Sequence, residues 1–191
     1  MAALGISPPG SFVSHATAAR IWGGIVSETS DVHVTVPSTA VRSSRQGVKA
    51  HAGVIGAAVT RFRNLAISTP EQTFLDLATC LDLVALVVVG DSLIRAGRTT
   101  AAALHDAALA WRGRGAKLAR RAARYFRDGV DSAMETRLRM LIVLAGLPAP
   151  QVNFILRHPD GSWWMRFDLC YPSLKLIFEY DGRQHAEDDD Q

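Results

Sequence analysis

The stretch "MRFDLCYPSLKLIFEYDGRQH", Met165–His185, decides how the chain is read. Its apolar residues alternate around turn residues, which is the pattern of a hairpin. Side chains alternate across a strand, so Met165, Phe167 and Leu169 share one face, and Arg166, Asp168 and Cys170 the other. On the returning strand Leu174, Leu176, Phe178 and Tyr180 read as the core face, opposite Lys175, Ile177, Glu179 and Asp181. Three acids, Asp168, Glu179 and Asp181, therefore mark either a sheet edge or a metal site. A connection of two or four residues brings Asp168 and Glu179 to one face as near-diagonal neighbours, about 7–8 Å apart at the backbone. Two carboxylates on that scale suit a hard cation such as Mg²⁺. A three-residue connection would place them on opposite faces.

The 191 residues as a whole read as a globule, 48% hydrophobic and 20% charged, neither disordered nor fibrous. The longest apolar run, Leu81–Val89, carries Asp82 and is far too short to span a bilayer. Cys80 and Cys170 sit in apolar segments and read as buried thiols. With no convincing signal peptide, this points to a reducing, cytoplasmic setting and no membrane partner. The net charge of +3 is unevenly spread. "WRGRGAKLARRAARYFRD" holds seven basic residues before its first acid, Asp128, whereas the chain ends in "AEDDDQ". A basic helix on a nearly neutral protein suggests contact with a polyanion.

Along the chain, "SHATAARIWG" reads as a short helix capped by Ser14 and ended by Gly23 and Gly24. "DVHVTVP" has strand period, and "VKAHAGVI" and "RFRNLAIST" are weaker strand segments. Thr69, Pro70 and Gln72 form a helix start with a capping box. Residues 82–97 and 100–111 read as helices. The basic stretch reads as another, with Leu118, Ala122 and Tyr125 on one face and Lys117, Arg120, Arg121, Arg124 and Arg127 on the other. "DSAMETRLRMLIVLAGLPAP" is an amphipathic helix closed by Gly146 and Pro148, and two or three strands follow it. The fold class is α+β. An N-terminal mixed module, 1–128, ends in the basic helix, and a helix-and-antiparallel-hairpin module, 129–191, follows.

The phrases "RFDLCYP" and "EYDGRQH", behind the acid-bearing helix "SAMETRLRMLIVLAGLP", resemble the PD-(D/E)XK nuclease superfamily. The nearer likeness is to its very-short-patch-repair-like branch, domain of unknown function 559. The portion "SHATAARIWG…DVHVTVP…GVKAHAG" is similar to the upstream part of actinobacterial proteins related to AbiEi antitoxins of toxin–antitoxin systems. The resemblance implies a partial restriction-endonuclease-like fold in which Asp168 and Glu179 hold Mg²⁺ or Mn²⁺. It implies that Asp181 stands where many members have lysine. Glu135 would hold water or a second ion, and His185 would sit near the scissile phosphate. The implied activity is metal-dependent phosphodiester hydrolysis on DNA. Members of the superfamily continue with a helix and further strands, and the upstream relatives often begin with a winged-helix segment. Beside them the chain reads as shortened at both ends, with its last strand an exposed edge.

Each candidate also has a structural reading. Glu135 completes a capping box with Ser132 and precedes Arg139 by one turn. Asp168 can pair with Arg166 or Lys175 across the hairpin. Glu179 and Asp181 can be a solvated strand end, with Asp181-Gly182 a turn. The basic helix can be a solvated face. Histidines 15, 33, 51, 105 and 158 show no metal spacing and receive no role, and the glycines form no phosphate loop. Two other functions fit the same residues: a non-catalytic DNA-binding regulator or antitoxin-type partner protein, and a decayed reading frame.

Overall fold

The structure is a computed structural model, and it describes residues 2–5, 7–37, 45–53 and 56–180. Asp181 and His185 lie outside the described residues. The chain divides into two compact units, Met1–Asp128 and Gly129–Gln191. Together they make an α+β protein, with a mixed five-stranded sheet in the first unit and an antiparallel three-stranded sheet in the second.

The first unit opens with α1 (Ala2–Gly5), β1 (Phe12–Val13) and α2 (His15–Ile21). The strands β2 (Val32–Val36), β3 (Val48–Ala52), β4 (Val59–Phe62) and β5 (Leu65–Ser68) complete a sheet of order β3-β2-β1-β5-β4. The β2–β3 and β1–β5 pairs are parallel, whereas β1–β2 and β4–β5 are antiparallel. "RFRNLAIST" is thus not one strand. It covers the end of β4, the turn and β5 of a hairpin, with Arg63 and Asn64 at φ of 48° and 64°. Two successive residues in the left-handed region give the connection whose twist suits a two-residue hairpin.

The alternation in β2 separates two chemistries. Val34 and Val36 pack with Leu4, Val32, Val48 and Ala50 in an apolar cluster. The parallel register pairs His33 with Lys49 and Thr35 with His51, so these four share the other face of the sheet. On that face the β2 residues His33 and Thr35 are buried, whereas on β3 His51 is half-buried and Lys49 exposed.

Four helices follow: α3 (Pro70–Leu77), α4 (Leu83–Arg95), α5 (Ala101–Ala110) and α6 (Ala116–Ala123). The hydroxyls of Thr69, Asp82's carboxylate and Thr100 accept N–H bonds from Gln72, Ala85 and Ala103, satisfying one orphan donor at each start. At α3 only half of the expected capping box forms. The Gln72 side chain accepts from the Ala58 amide and donates to Asp76 instead. Ser14 precedes α2 without capping it, because its hydroxyl bonds to His15 and Thr35. The basic helix α6 is shorter than its charge run. Ala116, Ala119 and Ala122 make its buried side, joined by Phe126 beyond the end, rather than Leu118 and Tyr125. Cys80 is exposed just after α3, contrary to its apolar surroundings in sequence, and Cys170 is buried in the second unit.

The second unit is α7 (Ala133–Leu144) followed by the meander β6 (Gln151–Arg157), β7 (Trp163–Tyr171) and β8 (Leu176–Phe178). A 3₁₀ turn, Pro172–Leu174, and Lys175 at φ 52° connect β7 to β8. The returning strand is shorter than its apolar run. Leu174, Leu176 and Tyr180, expected in the core, are exposed, and Phe178 is half-buried. Leu169, opposite Phe178, carries the buried face instead.

Candidate functional site

The connection between Tyr171 and Leu176 has four residues, Pro172–Lys175, the length that keeps both acids on one face. The register pairs Leu169 with Phe178 and Cys170 with Ile177. Pairing stops there, because β8 ends at Phe178. The same register carried one step further would bring Asp168 across from Glu179, closer than the diagonal placement expected from sequence. The Asp168 carboxylate accepts from the Tyr180 amide at 3.5 Å. Arg166, which could have neutralised Asp168, pairs instead with Asp131 at 2.8 Å. Glu179 is exposed at the end of β8.

Glu135 is buried at the start of α7. The Ser132 hydroxyl accepts from its amide at 3.1 Å, and its own Oε2 accepts from the Asp131 amide at 3.1 Å. The return bond expected at Ser132 thus falls one residue earlier, and this carboxylate has a defined structural task. Arg139, one turn on, is buried beside it in the same helix. Asn153, at φ 50° in β6, donates to the Gly129 carbonyl and ties the sheet to the segment before α7. Among the described residues, no group of three or more His, Cys, Asp or Glu is arranged to hold a metal ion. The donor set for a hard cation is the Asp168–Glu179 pair.

Of the basic residues, Lys117, Arg121, Arg124 and Arg127 are exposed. Arg120 is half-buried, with its guanidinium donating to the Trp111 carbonyl at 3.0 Å. Arg127 donates to the Phe126 carbonyl at 2.7 Å. Arg120 and Arg121 lie in the last turn of α6, where cations complement the carbonyl end of the helix dipole.

A second constellation, assigned no role from sequence, forms in the first unit. The rings of His15 and His51 stack at 3.5 Å between centroids, and His33 Nδ1 lies 3.1 Å from His51 Nε2. His15 Nδ1 is 2.9 Å from the Ser14 hydroxyl, which also accepts from Thr35, and 4.0 Å from Asp76 Oδ2. His15 itself is held at φ 50°. Such left-handed backbone in a residue other than glycine is strained, and strain of this kind gathers at functional sites.

Burial lowers the His15 imidazole to about 3, helped by the charges of His51, His33 and Lys49. His51 falls to about 4 through burial, then through His33 and Lys49. His33 is lowered by burial first, then by Lys49 and Arg20, with Asp31 opposing. Burial pushes the Asp76 carboxyl up to about 6, against the hydrogen bond from Gln72. Its Oδ2 is buried with no hydrogen-bond partner. Linear spacing could not reveal this group, because β2, β3, α2 and α3 deliver one residue each. The period-two match of His33 and His51 in adjacent strands was the available signal.

No family model matches the chain. It is 28% identical over 167 residues to two proteins of Mycobacterium tuberculosis, from two strains, both named only as uncharacterised. The match covers 87% of this chain and 60% of each relative, so the chain spans less than two thirds of their length. No solved structure matches. No helix among the described residues is long and apolar enough to cross a membrane.

Proposed function

We propose that the chain is a cytoplasmic DNA-binding protein whose second unit is a metal-dependent endonuclease-like module of the PD-(D/E)XK type. The observation that carries this reading is the four-residue connection and the Leu169–Phe178 register beside it, which support Asp168 and Glu179 sharing one face. These two carboxylates would hold Mg²⁺ or Mn²⁺, which when bound polarises a phosphoryl oxygen and activates water. Arg166, drawn to Asp131, leaves the Asp168 carboxylate free of that cation. Glu135 acts by fixing the start of α7 through the Asp131 amide. Lys117, Arg121, Arg124 and Arg127 supply sequence-independent phosphate contacts.

The test is plasmid nicking in Mg²⁺ or Mn²⁺ with wild type, Asp168→Ala and Glu179→Ala. Wild type is expected to nick and both variants to fall to background. Cleavage that survives both substitutions sinks the assignment.

A second reading is favoured by the exposed cations of the α6 segment: a non-catalytic DNA-binding regulator, of the kind that acts as the antitoxin-type partner of a toxin. Salt-dependent DNA binding without nicking under any metal supports it. In either case Lys117→Ala, Arg121→Ala and Arg124→Ala together should reduce the slope of log K against log salt by about 2–3.

A further inference from the structure

The stacked histidines border a cavity of about 260 Å³ in the first unit, which the endonuclease reading does not use. Its walls include His15, His51, Asp76 and Arg114, with Phe12 and Trp111 as aromatic surface. The arrangement of nitrogens disfavours a metal ion. Rings stacked 12° from parallel point their nitrogen lone pairs side by side rather than at one centre. Charge argues the same way. Lys49 acts on all three imidazoles and Arg20 on His33, against Asp31 and an Asp76 carboxyl driven toward its neutral form.

What the cavity offers is imidazole nitrogens and the exposed guanidinium of Arg114 on a wall that also carries the Asp76 carboxyl. Arg114 makes no ion pair among the described residues, although Asp76 shares the cavity wall with it. A planar guanidinium presents two parallel N–H donors, which match two oxygens of a phosphoryl group. Imidazoles that are costly to charge when buried become easier to charge beside an anion. Asp76, 4.0 Å from His15 Nδ1, stands where a charged ring would have its carboxylate partner.

We propose that this cavity binds a small phosphate ester, its phosphoryl oxygens on Arg114 and the imidazoles of His15 and His51, and its organic part against Phe12 and Trp111. Binding brings proton uptake by the histidine cluster. The cavity lining includes neither the hairpin carboxylates nor Lys117, Arg121, Arg124 or Arg127.

The test is titration calorimetry on the full chain with inorganic phosphate and with adenosine 5′-monophosphate, in two buffers of different ionisation enthalpy. The nucleotide is expected to bind more tightly than inorganic phosphate and to take up protons near pH 7. Arg114→Ala should weaken it at least tenfold without lowering the melting temperature of the free protein. His51→Gln should weaken it and abolish most of the proton uptake. The triple alanine variant of Lys117, Arg121 and Arg124 should bind it as wild type does. Equal affinity for inorganic phosphate would overturn the ester assignment. Affinity unchanged in Arg114→Ala, or lost only in the triple variant, would overturn the site. Zn²⁺ that stabilises the protein through His51, where phosphate and nucleotide do not, would replace it with a metal site. Plasmid nicking bears on none of these outcomes.

Discussion

Asp76 and the three imidazoles around it pull stability in opposite directions as pH changes. A histidine whose folded pKa lies below its unfolded value charges more readily in the unfolded chain, so it removes stability as pH falls below about 6.5. His15 and His51, at about 3 and about 4, act this way across the interval from 6.5 down to those values, and His33 adds in the same direction. Asp76 has the reverse sign. Its folded value of about 6 exceeds the ordinary 3.8, so its cost is full above pH 6 and fades as pH falls toward 4. Three histidines against one carboxyl leave the unfolded chain binding more protons between pH 6 and 4. Urea midpoints are therefore expected to drop through that interval, and His51→Gln should flatten the drop. Asp76→Asn keeps an oxygen for the Gln72 donor while removing the buried charge. It should stabilise the protein by about 1–3 kcal/mol at pH 8, with the gain fading between pH 6 and 4. A gain that persists unchanged at pH 4 would show that the carboxyl is not the source.

At the scale of elements, α4 shows packing overriding helix preference. Gly90 lies in the middle of this helix, where alanine would ordinarily be better by about 1 kcal/mol. A Cβ there would meet Phe126 Cε1 at 2.1 Å, so the glycine is the groove into which the ring after α6 fits. Gly90→Ala should cost about 1–3 kcal/mol in spite of its better propensity. Phe126→Ala alone should cost more, and the double variant should cost less than the sum, because the lost ring frees the space for the added methyl. Urea unfolding of the four proteins measures this coupling; strict additivity would separate the two residues. What was legible in the sequence follows the same division. The caps Thr69 and Ser132 are local chemistry, and each marks a helix start correctly. The Arg63-Asn64 turn is hard to read because Asn64 suits positive φ but Arg63 does not, and no glycine marks the two-residue loop. The exposed Leu174 and Leu176 were misread because alternation names a face without saying whether anything covers it. The facing of Asp168 and Glu179 could be stated only conditionally, since one residue more or less in the connection reverses it. The histidine group was out of reach for a different reason: it depends on which strands pair, and β2 meets β3 in parallel across an intervening segment.

The two units differ in how much apolar surface each removes from water, and this sets the behaviour of the whole chain. In the first, Phe74, Leu77, Leu86, Val87, Val89, Leu93 and Leu104 are almost wholly inaccessible, and the helices α3 to α6 share one core. In the second, the buried apolar side chains among the described residues are Val130, Met140, Ile142, Leu169 and Cys170. Its strands meanwhile expose Ile155, Trp163, Trp164, Met165, Leu176 and Ile177. Burial stabilises by about 25 cal/mol per Å² of apolar area, so the smaller core has less to set against the entropy of ordering its strands. Small units with few buried side chains are marginal on their own, and regions with sparse apolar contacts open at lower free energy. Unfolding is accordingly expected in two steps. Amides of β6, β7 and β8 should exchange with solvent through openings well below the global free energy, while those of α4 exchange only on full unfolding. In urea, far-ultraviolet dichroism should show an early loss at a midpoint where Trp22, buried in the first unit, still emits as a shielded indole. Its red shift should accompany the later transition. Coincident transitions by dichroism and fluorescence, with equal protection in α4 and β7, would mean that the units unfold as one.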